Sequence, residues 1–103
     1  MIRVPKNRRA THPGEVLLED FLTPMGITQK ALAEAIRVPF QRVNEIVAGK
    51  RGVTPSTALR LAKYFGTSPG FWLNLQMRCD IQSALAAEES ELKQIRQVTQ
   101  LAA

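Results

Sequence analysis

Cysteine and histidine each occur once in this 103-residue chain, as Cys79 and His12. A single cysteine closes no internal disulfide, and in a chain whose only histidine is His12 it has no partner for nucleophilic catalysis. A glycine-rich phosphate loop is also absent. No segment approaches the roughly 20 apolar residues of a membrane span, and the basic N-terminus lacks the apolar stretch of a secretory signal. There is no internal repeat, low-complexity tract or strand-like alternation. These absences predict a cytoplasmic, all-α chain without membrane partner, small-molecule substrate or cofactor. One metal arrangement is conceivable on paper, with His12, Glu15 and Glu19 at i, i+3 and i+7. His12, however, stands where a helix begins, and capping or packing is the ordinary use of such a residue.

Acidic residues are scarce in two stretches, and this scarcity is more informative than the formal net charge of +5 or the sequence pI near 10.0. Residues 1–9 carry Arg3, Lys6, Arg8 and Arg9 with no acid, and residues 37–63 carry six cations against Glu45 alone. Acids gather elsewhere, as Glu15, Glu19 and Asp20 early and Asp80, Glu88, Glu89 and Glu91 late. A basic side and an acidic side are expected, and the basic one suits a polyanion.

Residues 1–10 have no hydrophobic period and read as a flexible basic arm. Thr11 or His12 then caps a helix with Pro13 in its first turn, running to about Thr23 before Pro24, Met25 and Gly26. A second helix spans about Gln29 to Ile36 behind the cap Thr28, and a third about Pro39 to Ala48, stopped by Gly49. Thr54 and Pro55 open a fourth helix, whose Ala58, Leu61, Ala62 and Phe65 recur at i, i+3, i+4 and i+7 before Gly66. Ser68 and Pro69 open a fifth, reaching toward Ala87. The stretch 88–103 reads as a further helix or a tail. The expected architecture is a compact five-helix, repressor-like domain over residues 11–87.

Within it, residues 29–48 have the spacing of a helix-turn-helix. Ala33 is small where two short helices touch, and Leu32, Ile36, Val38, Val43 and Ile46 form a seam across the break at Arg37–Pro39. Phe40, Gln41, Arg42, Asn44 and Glu45 are left outside, and Gln, Arg and Asn are side chains that pair bidentately with base edges in a major groove. A plain helical hairpin with a solvated polar face is the alternative reading of this segment.

From His12 to Gln76 the chain reads HPGEVLLEDFL, TQKALAEAI and QRVNEIVAGKRGVTPSTALRLAKYFGTSPGFWLNLQ. In these motifs it resembles the HigA antitoxins, a branch of the phage-repressor-like (XRE) helix-turn-helix proteins that includes virulence-associated protein I. The resemblance implies a non-catalytic, dimeric repressor that binds a palindromic operator on double-stranded DNA and a RelE-like or HigB-like mRNA endonuclease toxin. By the same resemblance, Gln29 would hydrogen-bond a phosphate. Phe40, Gln41 and Asn44 would face base edges, while Arg42, Lys50, Arg51 and Thr54 would lie near the DNA backbone. The other readings are a solvated Gln29, a locally bonded Asn44, and Lys50 and Arg51 as simple loop charges. Arg60 and Lys63 are read as solvated charges.

The chain departs from the family pattern at three positions. Arg37 stands where a positive-φ glycine is usual. Phe40 replaces a polar or basic residue, and either touches thymine methyls or folds back on Val43 and Val47. Gly70 weakens the first turn of the fifth helix. The stripe Phe71, Trp72 and Leu75 is either core or, with Met77, Ile81 and Leu85, part of a dimer seam. Two reading helices related by a two-fold axis would sit about 34 Å apart on DNA. A stand-alone regulator of the same fold and a protein-interaction module are the competing functions.

Overall fold

The structure, a computed structural model, describes residues 10–98. The arm expected over residues 1–9, and residues 99–103, lie outside the described residues. Six helices and, among the described residues, no strand make up the chain.

The first helix, α1, runs without interruption through Pro13–Val16, Leu17–Leu22 and Thr23–Met25, and its middle stretch is π-helical. His12 is its cap: Nδ1 accepts from the Gly14 N–H at 2.8 Å. The lone histidine therefore serves to start a helix. The π turns were not foreseen. Pro24 comes one residue after them, and in an α register its ring would crowd the carbonyl of Asp20, four residues back, so the wider turns relieve that clash.

The next two helices are α2, Gln29–Ile36, and α3, Phe40–Val47. Thr28 caps α2 by accepting from the Ala31 N–H at 3.0 Å. Pro39, expected inside α3, is instead its N-cap, with extended ψ of 145°. Thr54 caps α4, Pro55–Phe65, and Ser68 caps α5, Pro69–Ala87. A short α6, Glu89–Leu92, follows, and the chain is non-helical from 95 to 98.

Helix α2 packs on α3 and α4, α4 on α5, and α1 on α3 and α5. The predicted seam is real: Leu32, Ala33, Ile36, Val43 and Ile46 are buried, with Val38 packed beside them. Burying each large aliphatic side chain contributes about 1.5–3 kcal/mol. Gly14 lets α1 cross the end of α3 closely, for a Cβ there would lie 1.9 Å from the Ile46 carbonyl oxygen.

Trp72 corrects one expectation. It is 0% exposed, its ring lies 5.1 Å from Phe21 and 5.0 Å from Phe71, and its Nε1 donates to Thr67 Oγ1 at 2.8 Å. A side chain so enclosed has no surface to give a dimer seam. Leu75 is half-buried against the same core, whereas Met77, Ile81 and Leu85 are exposed.

Candidate nucleic-acid interface

The outer face of α2 and α3 carries a polar network that begins at Gln29. Asn44 Nδ2 donates to Gln29 Oε1 at 3.0 Å, joining the two helices across 15 residues of sequence. Gln41 Nε2 donates to Glu45 Oε2 at 3.2 Å, and the other Glu45 oxygen receives Arg51 Nε at 2.8 Å. The hydrogen bond from Arg51, with smaller help from Gln41 and from the charges of Arg51 and Lys50, holds the Glu45 carboxyl below its ordinary range. Glu45 thus stays anionic to lower pH than a free glutamate and keeps Arg51 folded against α3. Phe40, on the first turn of α3, is 51% exposed. It is not among the side chains packed against the core. Arg42 is half-buried and Lys50 exposed.

The loop after α3 is fixed from both ends. Its backbone turns back on α3 through bonds from the Lys50 and Arg51 N–H groups to the Glu45 carbonyl at 2.8 and 3.2 Å. At its far end the Val53 N–H donates to Gln76 Oε1 of α5 at 2.8 Å, and Gln76 Nε2 donates to Asp80 Oδ1 at 2.9 Å. Gly52 makes room, since a Cβ there would lie 2.9 Å from the Gln76 amide carbon. Thr54 commits its hydroxyl to the α4 cap, accepting from the Thr57 N–H and donating to Thr57 Oγ1, both at 3.3 Å. Of the basic loop, Lys50 is therefore the side chain most open to a phosphate.

At the turn between α2 and α3, Arg37 adopts the left-handed conformation, φ 65° and ψ 49°, that glycine takes without penalty. Arg60, expected to be a solvated charge, instead reaches back from α4. Its Nη1 donates to the Ile36 carbonyl at 2.7 Å and to the Arg37 carbonyl at 3.4 Å. Two carbonyls that the end of α2 leaves unsatisfied thereby gain a cationic donor. Arg60 and Gln76 are the positioning residues that sequence reasoning missed. Neither breaks a hydrophobic period, and each acts on backbone groups more than 20 residues away.

Residues 18–72 match the helix-turn-helix family. Virulence-associated protein I of Dichelobacter nodosus is 48% identical over 81 residues, which cover 79% of this chain and 75% of the relative. Antitoxin HigA-1 of Vibrio cholerae serotype O1 is 41% identical over 90 residues, 86% of this chain and 84% of its own. The Pseudomonas aeruginosa antitoxin HigA, solved with the higBA promoter, superposes with a TM-score of 0.84 at 39% identity. That alignment covers 88% of this chain and all of the solved one. This chain belongs to the HigA branch of the helix-turn-helix family. In this HigA-type protein Gln29, Gln41 and Asn44 lie on the outer face of α2 and α3, within or beside the matched helix-turn-helix, already linked to one another or to Glu45. Among the described residues no helix is long and apolar enough to cross a membrane, and no group of three His, Cys, Asp or Glu side chains is arranged to hold a metal ion.

Proposed function

We propose that this protein is the antitoxin and autorepressor of a type II toxin–antitoxin module, binding a palindromic operator as a homodimer and neutralising an mRNA endonuclease toxin by direct binding. The observation that carries the reading is the alignment, along most of its length, with a relative solved on its own module's promoter. The reading makes the protein a non-catalytic, cytoplasmic chain that sits on the nucleoid when bound to its operator.

Gln29, at the positive end of α2, donates its free amide N–H groups to a phosphate. The bond to Gln29 leaves Asn44 with its Oδ1 acceptor and one N–H, the pair that matches the N6 and N7 groups of adenine. Gln41 reads a neighbouring base edge and Phe40 meets thymine methyl groups. Arg42, Lys50 and Arg51 set register on the backbone, and Thr54 contributes by starting α4. Met77, Ile81 and Leu85, all more than half exposed on α5, form the dimer seam with half-buried Leu75 at its edge. Residues 11–87 make up the DNA-binding domain, and the arm tracks the backbone.

The test is binding, at near-physiological salt, to the DNA upstream of the protein's own gene beside a scrambled duplex of equal length. A preference of about a thousandfold or more is expected. Equal, weak, salt-erased binding to both would overturn the repressor reading. Operator binding without any toxin gene alongside would leave a stand-alone regulator.

A further inference from the structure

Between residues 37 and 63 the chain carries six cations and one acid, Glu45. A carboxylate on a basic surface repels a polyanion of any sequence, so its place on α3 calls for a use that offsets the cost. Both of its oxygens are engaged, by different neighbours: Oε1 receives Arg51 Nε at 2.8 Å, and Oε2 receives Gln41 Nε2 at 3.2 Å. Arg51 comes from the loop after α3, where its own N–H is tied to the Glu45 carbonyl, and its guanidinium sets a positive charge against the carboxylate. Gln41 stands one turn before Glu45 on the same stripe of α3. It is exposed, whereas the Glu45 side chain is only 27% exposed.

A glutamine amide has two N–H donors and one carbonyl acceptor. When free, it can offer a donor and an acceptor, which match N7 and N6 of adenine, or both N–H groups, which match N7 and O6 of guanine. The bond to Glu45 removes one donor. What remains is one N–H and Oε1, the complement of adenine. Guanine shows two acceptors on its edge, and to serve both Gln41 would have to release the carboxylate, leaving an anion beside those same acceptors. Cytosine and thymine each offer one polar group there and use half of the amide.

We propose that Glu45 determines specificity through Gln41: by holding one amide N–H, it makes Gln41 select adenine and reject guanine. The proposal rests on the reading of Gln41 as a base contact. Glu45 itself touches no base and is a positioning residue, and Arg51 offsets the repulsion its charge would otherwise cause. Discrimination then comes from opposing the wrong base as well as fitting the right one. In the free protein the bond from Gln41 faces water. A duplex laid over it excludes that water and strengthens a hydrogen bond to a charged acceptor.

The test is selection of bound duplexes by the full-length protein from a library of random sequence. Gln41→Ala locates the position that Gln41 reads, as the one that loses its base preference in each half-site, and the wild type is expected to prefer adenine there. In Glu45→Ala the ratio of adenine to guanine at that position is expected to fall about tenfold, with the other positions unchanged. The ratio is the readout because removing an acid raises affinity for every duplex. Alanine keeps α3 helical, and unchanged preferences elsewhere show that the variant is folded. Added to Gln41→Ala, the Glu45→Ala change should alter nothing further at that position. Arg51→Ala should lower affinity on every sequence and leave the ratio as it is. An unchanged ratio in Glu45→Ala would overturn the proposal. So would an equal fall in Arg51→Ala, which would make Glu45 an anchor for the loop. If Gln41→Ala altered no position while the wild type still selected a sequence, the base contact and the proposal would fall and the repressor reading would stand. A library from which the wild type selected no sequence would overturn both.

Discussion

The helix-turn-helix and the far half of α5 are built with opposite polarity. In α2 and α3 the apolar side chains Leu32, Ile36, Val43 and Ile46 face inward, while Gln41, Asn44 and Glu45 bond to one another's neighbours on the outside. Along α5 beyond Leu75 the inward side chains are polar. Gln76 holds the Val53 N–H, the Cys79 thiol donates to the Thr11 carbonyl at 3.3 Å, and Gln82 accepts from the Ala10 N–H at 2.7 Å. Its apolar residues, Met77, Ile81 and Leu85, face outward. The front of the molecule completes its core within one chain. The back uses hydrogen bonds to hold loops and leaves its apolar surface for something else to cover.

One substitution made at two isoleucines would break this comparison most directly. Ile46→Ala removes side-chain volume from a site 2% exposed and is expected to cost about 2–5 kcal/mol in urea unfolding. Ile81→Ala, at a site 52% exposed, is expected to change the stability of the dilute monomer by no more than about 0.5 kcal/mol while weakening dimerisation. Similar losses at the two sites in the monomer would mean that α5 packs inward in solution.

On the front, Asn44→Ala is expected to cost about 1–3 kcal/mol on the operator and almost nothing on scrambled DNA. Equal losses on both duplexes would move Asn44 from base reading to backbone support, since its bond to Gln29 would then matter only for holding α2 on α3.

Gln76 joins the two regions, and its effect should differ in kind. Gln76→Met keeps the side chain's length but leaves the partly buried Val53 N–H without an acceptor, at a cost of about 1–3 kcal/mol. With the loop loosened, Lys50 and Arg51 lose their register. Affinity should fall alike on operator and scrambled DNA, and the slope of log affinity against log salt should drop by about 0.9 for each phosphate the loop no longer neutralises. Gln76→Glu restores the acceptor for Val53 but sets a second carboxylate against Asp80, so it should recover the salt slope and only part of the thermal stability. A Gln76→Met variant with unchanged salt slope would show that the loop is held by its bonds to Glu45 alone.

What could be read from the sequence, and what could not, divides along the same line. The caps Thr28, Thr54 and Ser68, the seam of the helix-turn-helix and the glycine after α3 are local or periodic features, and each is where its pattern placed it. The π turns of α1, the Arg60 bonds to the end of α2 and the Gln76 clamp are not periodic, because a side chain that serves a distant backbone group looks like any other polar residue on a helix. Trp72 was ambiguous for a different reason. A large aromatic at helical spacing suits a core or an interface equally, and only the ring contacts with Phe21 and Phe71 and the bond to Thr67 place it inside.

Arg37 offers the smallest and sharpest test, since it concerns strain in the part of the molecule that otherwise completes itself. A non-glycine residue at φ 65° carries a Cβ that crowds its own backbone. Arg37→Gly should relieve that crowding and, after the greater freedom of glycine in the unfolded chain, leave a net gain of about 0.5–1 kcal/mol. Arg37→Ala separates the two properties of the arginine, because it keeps the strain and removes the charge. If the arginine side chain does nothing for the turn, only the glycine variant would be more stable in urea. If Arg37→Gly were instead less stable than the wild type, the turn would depend on the arginine side chain itself, and the carbonyl bonds from Arg60 would not be enough to hold the end of α2.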